Sequence, residues 1–282
     1  MRGIHTALVT PFADDGSVDL DVFARLARRQ LDAGIAGLVP CGTTGETPTL
    51  SAAEWDDCIR VAVEVSGSAP VTVGVGTNST ASTVANIARA AALGADAALV
   101  VFPYYNKPNP RGLRAHVLAA LAPGLPVVLY HVPGRTGQRL PADLLAELAN
   151  MPGVIAVKEA TGDIRYAGDL MLGTDTPVLS GDDFTFLGLL AHGGAGCVSV
   201  VSNVHPAATV AIQTAYEAGD TKTAAKRMRR LLPLIDYLFQ DTNPVPCKAV
   251  MAALGLCEAT TRLPLATAVE PVPPHLLAGL DL

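Results

Sequence analysis

The sequence predicts an α/β fold, a (β/α)8 TIM barrel with a small C-terminal helical extension, on three observations. Short apolar, β-branched runs recur eight times and alternate with helical patterns, the mark of successive βαβ units. Most of these runs are almost continuously apolar, as parallel strands covered on both faces must be. The Gly-x-Gly-x-x-Gly turn of an open dinucleotide-binding sheet is missing after the first run. The chain's 282 residues fit one barrel of ~250 residues as well as two average domains.

The strands are placed at His5–Thr10, Gly37–Pro40, Val71–Gly74, Ala98–Phe102, Val127–His131, Val154–Lys158, Val178–Ser180 and Gly196–Val200. The first helix, Asp19–Gly34, gathers Val22, Phe23, Leu26, Ala27 and Leu31 on one face and stops at glycine. Ser51-Ala52-Ala53-Glu54 reads as a capping box opening a helix that runs to Gly67. Ser79–Gly94, Pro110–Leu121, Pro141–Asn150, Arg165–Leu172 and Phe184–His192 keep the rhythm. After the eighth strand it changes: Pro206–Ala218, Thr221–Gln240 and Cys247–Gly255 are helical with no strands between them. The catalytic barrel is therefore placed at 1–219 and the helical extension at 220–282, with a proline-rich surface tail after Arg262.

Composition narrows the function classes. Hydrophobic residues make up 50% and charged ones 16%, which excludes a disordered chain. With 20 basic and 26 acidic residues the net charge is −6, and the densest basic run, Lys222 to Arg230, reads as a solvated helix face. No nucleic-acid partner is expected. No apolar run reaches the roughly 18 residues of a membrane span, and Met1–Asp15 lacks a secretory pattern, so the expected location is the cytoplasm. The five cysteines have no redox or zinc spacing, and the six histidines no metal-ligand spacing. No metal is expected. Cys41, beside a glycine-rich turn, is read as packing rather than as a nucleophile.

A barrel of this kind carries its active site at the C-terminal ends of its strands. The polar residues there include Gly42-Thr43-Thr44-Gly45-Glu46, Thr77-Asn78, Tyr104-Tyr105-Asn106, Tyr130-His131 leading to Arg135, Lys158-Glu159 and Gly181-Asp182-Asp183. Of five lysines only Lys158 lies within an apolar strand; the others fall on loops or late helical segments. A buried ammonium costs several kcal/mol unless it is paired or neutralised, and a desolvated lysine is suited to attack a carbonyl. Position alone leaves two readings open: a Schiff-base lysine, or a structural lysine paired with Glu159. Schiff-base chemistry needs proton shuttles, which Tyr130, Thr43 and Tyr105 can supply, although each tyrosine alone also reads as a wet-ended core aromatic. The amides of the Gly-Thr-Thr-Gly turn can hold a carboxylate, and Arg135 can fork onto another. The alternatives are an ordinary loop and a rim ion pair.

Together these motifs, with Pro103-Tyr104-Tyr105-Asn106, Tyr130-His131-Val132-Pro133-Gly134-Arg135-Thr136-Gly137, Val157-Lys158-Glu159-Ala160-Thr161-Gly162 and Ser180-Gly181-Asp182-Asp183, resemble the pyruvate-dependent class I aldolase family, in its dihydrodipicolinate synthase branch. The likeness runs from Thr10-Pro11 to Asn243-Pro244-Val245-Pro246-Cys247-Lys248. It implies that Lys158 forms the Schiff base with pyruvate and that Tyr130 moves protons in a relay with Thr43 and Tyr105, the latter reaching into a neighbouring subunit. It implies that Thr44 holds the pyruvate carboxylate and Arg135 the carboxylate of aspartate semialdehyde. Main-chain carbonyls of Gly181 and Val198 would line the site. The implied assembly is a homotetramer, a dimer of dimers, and no diffusible cofactor is implied. The rival within the family is a lyase or dehydratase acting on a sugar acid; the second carboxylate clamp, Arg135, and the Tyr104-Tyr105 pair favour the synthase. From another class, a non-catalytic binding protein on the same fold would be expected to lose Lys158 or Tyr130. Relatives often carry asparagine where His131 stands, and strand alternation points His131 away from the barrel interior. In the inter-subunit cleft where some relatives bind lysine, Asn78 and Tyr104 are kept, while Ala52, Trp55 and Ser82 stand where histidines and an acid are common. Weak or absent lysine inhibition is expected, with Trp55 packing its helix.

Overall fold

The computed structural model describes residues 1–278. Its strands are β1 (Gly3–Ala7), β2 (Gly37–Val39), β3 (Thr72–Gly74), β4 (Ala97–Val101), β5 (Val127–His131), β6 (Val154–Glu159), β7 (Val178–Ser180) and β8 (Gly196–Ser199). They form one parallel sheet in the order β2-β1-β8-β7-β6-β5-β4-β3, and a bridge from Leu38 to Val71 joins its two ends into a ring. This is the barrel the alternation implied. Gly74 shows how tightly the ring closes there: a Cβ on it would meet the Cys41 carbonyl oxygen at 2.1 Å, closer than any side chain permits.

Strand alternation sorts the side chains. Val128, Tyr130, Val132, Ala156, Leu179 and Val198 fill the barrel interior. Val127, Leu129 and Val157 face outward against the helices.

Those helices are α1 (Leu20–Asp32), α2 (Ala52–Ser66), α3 (Thr80–Ala92), α4 (Pro110–Leu121), α5 (Pro133–Thr136), α6 (Ala142–Ala149), α7 (Ile164–Met171), α8 (Phe186–Ala191) and α9 (Pro206–Glu217). Side chains cap several of them as composition suggested: Asp19 accepts from Val22 N–H at 2.9 Å, and Ser51 and Glu54 close the expected capping box. The C-terminal extension holds α10 (Thr221–Phe239), α11 (Val245–Ala253) and α12 (Pro274–Ala278). It packs with β1, β8 and α9 through a second apolar cluster that includes Ile4, Phe186, Ile212, Ile235 and Met251.

Four short elements escaped the sequence reading, among them α12 within the proline-rich tail. Arg135, expected in a loop, sits on α5, a single helical turn. Pro133 supplies the fixed φ of a first helical position, and Gly137 ends the turn at φ +67°, donating its N–H to the Pro133 carbonyl. Short 3-10 turns follow β2 (Thr47–Thr49) and β8 (Val201–Asn203). One turn of helix is too short to show a period.

Candidate active site

Tyr130 and Lys158 are register partners on β5 and β6, and both point into the barrel. Lys158 is 5% exposed, with its ammonium 4.2 Å from the centre of the Tyr130 ring. Among the described residues it has no ion pair. Glu159, the alternative partner, faces the other side of the sheet. It accepts from the Thr161 N–H at 2.6 Å, and burial raises its pKa. The structural reading of Lys158 as half of a Lys158–Glu159 pair is thereby excluded.

Gly181 is packed beside this lysine. A Cβ there would meet Lys158 Cε at 2.9 Å and Ala160 Cβ at 2.8 Å, so any larger residue would displace the amine. The next residues stiffen the floor. Asp183, buried, accepts from the Ser199 hydroxyl and from the N–H groups of Val200 and Val201, which fixes the chain where β8 ends.

The turn after β2 supplies the opposite wall. Its geometry is closed by Gly45 N–H to the Gly42 carbonyl at 3.1 Å, Glu46 N–H to the Thr43 carbonyl at 3.1 Å and Thr10 hydroxyl to the Gly45 carbonyl at 2.7 Å. The N–H groups of Thr43 and Thr44 take no partner among the described residues. Two adjacent free amides are what an anion-binding turn presents. The Thr44 hydroxyl oxygen accepts from Asn243 Nδ2 at 2.8 Å. A hydroxyl that accepts there still has its own proton to donate.

These residues enclose a cavity of about 420 Å³ lined by Thr43, Thr44, Tyr130, Arg135, Lys158, Gly181, Asp182, Val200 and Asn243, among others. Arg135 reaches it from the rim, donating to the Asn243 carbonyl at 3.3 Å. A second, mostly apolar cavity of about 220 Å³ adjoins it, bounded by Thr43, Tyr104, Tyr130 and Arg135. Six of the eight residues named for catalysis and substrate binding thus meet at one place: Lys158, Tyr130, Thr43, Thr44, Arg135 and Gly181. The Val198 side chain lies in the barrel interior, and Val200 lines the cavity wall. Tyr105 lies outside, 90% exposed, with a left-handed φ of +70°.

Sequence reasoning missed Asn243 as a site residue. It lies far along the chain from Thr44 and Arg135, and only the folded C-terminal extension brings it back over the barrel. It also placed Lys248 among ordinary late helical lysines. Lys248 is instead fully buried on α11. A single lysine in an apolar helix carries no mark of its burial partner in a distant turn.

The remaining expectations divide. His131 points away from the cavity, fully buried between Phe102 and Tyr166. Trp55 packs as a helix residue, donating its indole N–H to the Gly74 carbonyl at 3.3 Å. It borders a cleft of about 280 Å³ with Ala52, Tyr104 and Arg89. Asn78 and Ser82 are not among the lining residues; the Asn78 carbonyl accepts from Asn106 instead. The Cys41 thiol is buried, and its hydrogen bond with Cys58 together with burial raises its pKa well above the ordinary value, which suits packing rather than nucleophilic attack.

The family model of the dihydrodipicolinate synthetase family matches residues 1–278. The chain belongs to that family. It is 48% identical over 270 residues to 4-hydroxy-tetrahydrodipicolinate synthase of Hyphomonas neptunium, covering 94% of this chain and 92% of the relative. The solved dihydrodipicolinate synthase of Thermotoga maritima superposes with a TM-score of 0.93 at 40% identity, covering 96% of this chain and 94% of the other. A monomeric dihydrodipicolinate synthase variant superposes equally, at 40% identity, covering 96% of this chain and 92% of the other. Membership in the dihydrodipicolinate synthetase family agrees with the barrel and its C-terminal helices.

Proposed function

We propose that this chain condenses pyruvate with aspartate semialdehyde to give 4-hydroxy-tetrahydrodipicolinate, in the diaminopimelate route to lysine. One observation carries the reading: Lys158 stands in a walled cavity with no carboxylate holding it, its nitrogen against the Tyr130 ring. A lysine so placed has its nitrogen free to bond carbon.

Pyruvate enters with its carboxylate toward the Thr43 and Thr44 amides and the Thr44 hydroxyl. Lys158 Nζ adds to the ketone carbon, and the resulting carbinolamine loses water to form the Schiff base. Tyr130 supplies and removes the protons of these steps, since its ring already lies beside the nitrogen. Loss of a methyl proton gives the enamine, whose carbon attacks the aldehyde of the second substrate. Arg135, at the rim, forks onto that substrate's carboxylate. The substrate's own amine then displaces Lys158 and closes the ring. Each turnover releases one water, and the lysine serves as the covalent carrier with no diffusible cofactor.

Tyr105 cannot join this relay within its own chain, because it is exposed outside the cavity. We assign it to the apolar cavity beside Thr43 and Tyr130 of a second copy, which completes the relay across a dimer. Two such dimers form the proposed homotetramer. Among the described residues no helix is long and apolar enough to cross a membrane, and we place the enzyme in the cytoplasm.

The test is turnover of aspartate semialdehyde with pyruvate, followed by absorbance of the cyclic product. Product formation that depends on both substrates supports the reading. Turnover of a sugar acid, N-acetylneuraminate or a 2-keto-3-deoxy acid, instead would move the enzyme to the lyase or dehydratase branch.

A further inference from the structure

Lys248 on α11 has no part in the steps above, yet it is the most deeply buried lysine of the chain. Its ammonium donates to Glu46 Oε1 at 2.6 Å and to the Thr260 carbonyl at 2.8 Å. It also lies 4.1 Å from the centre of the Phe12 ring. Glu46 is 3% exposed, and its other oxygen accepts from the Arg262 N–H at 2.9 Å. Each charge thus has two hydrogen bonds, one of them to the other charge.

A buried ion pair gives little net stability, because removing two charges from water offsets their attraction. Its geometric effect is larger, since each partner is confined to one position. Glu46 ends the Gly42–Glu46 turn at a left-handed φ of +52°, a conformation that a non-glycine residue keeps only when its surroundings enforce it. Its N–H donates to the Thr43 carbonyl at 3.1 Å. On the same side of the barrel, Asn243 just before α11 donates to the Thr44 hydroxyl. The C-terminal extension thus grips the turn at two points, at Thr44, which carries one of the free amides, and at Glu46, two residues on.

We propose that Lys248 is a positioning residue for pyruvate: through Glu46 it holds the Thr43–Thr44 turn in the shape that receives the pyruvate carboxylate. This rests on the proposed reading of that turn as the carboxylate site. It gives the C-terminal extension a function in substrate binding as well as in covering the barrel.

The experiment is a pyruvate titration of borohydride trapping, read by mass, with melting temperatures measured alongside. It compares wild type, Glu46→Gln, Lys248→Met and the double variant. Lys248→Met strands a buried carboxylate and is expected to melt lower. The double variant removes both charges and is expected to melt near wild type, while Glu46→Gln keeps an acceptor for Lys248 but leaves its buried charge unpaired and is expected to melt lower. All three are expected to need more pyruvate for half-maximal trapping, about tenfold more for the two lacking Lys248. The KM for aspartate semialdehyde stays within about twofold, a split that a general loss of structure would not produce. A double variant that recovers both the wild-type melting temperature and the wild-type trapping midpoint overturns the proposal. Wild-type protein that traps no pyruvate overturns the reading of the site, and the proposal with it.

Discussion

Tyr130 and Lys158 occupy facing positions on adjacent strands, with the lysine nitrogen 4.2 Å from the centre of the tyrosine ring. The parallel register makes this possible. In-phase neighbours on β5 and β6 point to the same side, so Tyr130 and Lys158 share the interior while His131 and Glu159 share the outer face. The acid nearest in sequence to Lys158 is thereby kept out of the cavity.

If Tyr130 moves the protons of Schiff-base formation, Tyr130→Phe keeps the ring beside Lys158 and removes only the hydroxyl. The expected result is a kcat lower by about 100-fold or more, measured by steady-state turnover. Prolonged incubation with pyruvate and borohydride should still label Lys158.

The proposed role of Arg135 is on the second substrate rather than the first. Arg135→Ala should raise the KM for aspartate semialdehyde by roughly 10-fold or more, as loss of a charge-assisted hydrogen bond would. The pyruvate midpoint for trapping should not move. A shift confined to pyruvate would assign Arg135 to the wrong carboxylate.

Lysine should inhibit weakly or not at all. The cleft bearing Trp55 and Tyr104 presents the guanidinium of Arg89, already paired with Asp56 at 2.5 Å. A cationic ligand there finds a cation and no free acid. Initial rates should be unchanged at sub-millimolar lysine, and half-inhibition well below millimolar would overturn this expectation.

His131 should affect stability more than rate. Both ring nitrogens are buried without a hydrogen-bond partner among the described residues, and burial, with a smaller contribution from Arg139, lowers its pKa to about 4. The unfolded chain, titrating near ~6.5, binds the proton first. Stability therefore falls as pH drops from about 6.5 toward 4, by up to about 1.4 kcal/mol per pH unit from this group. His131→Leu should flatten that part of the melting profile and stabilise the fold by about 1 kcal/mol at neutral pH, with kcat close to wild type. His5, lowered to about 4 mainly by its own burial, leaves a residual slope of the same sign.

The barrel was legible because parallel strands and amphipathic helices leave strong periodic traces. β5 and β7 were placed at their observed limits, whereas β1 begins two residues earlier and ends three earlier than the apolar run suggests. Leu8, Val9 and Thr10 continue that run as a buried but irregular segment leading to the turn. Site residues at strand ends were legible for the same reason: once the strand is known, its C-terminal residues are known. Asn243 and Lys248 were not legible as site elements, because they reach the turn through tertiary packing of the extension. Tyr105 was legible as a motif residue, yet in the folded chain it lies exposed outside the cavity.

The central claim is that Lys158 carries pyruvate as a Schiff base. The most direct measurement is reduction of the protein with borohydride in the presence and absence of pyruvate, followed by intact mass and peptide mapping. The account predicts one reduced pyruvate adduct per chain, on Lys158 alone, absent without pyruvate and absent in Lys158→Ala. No adduct, or an adduct on another lysine, would contradict it.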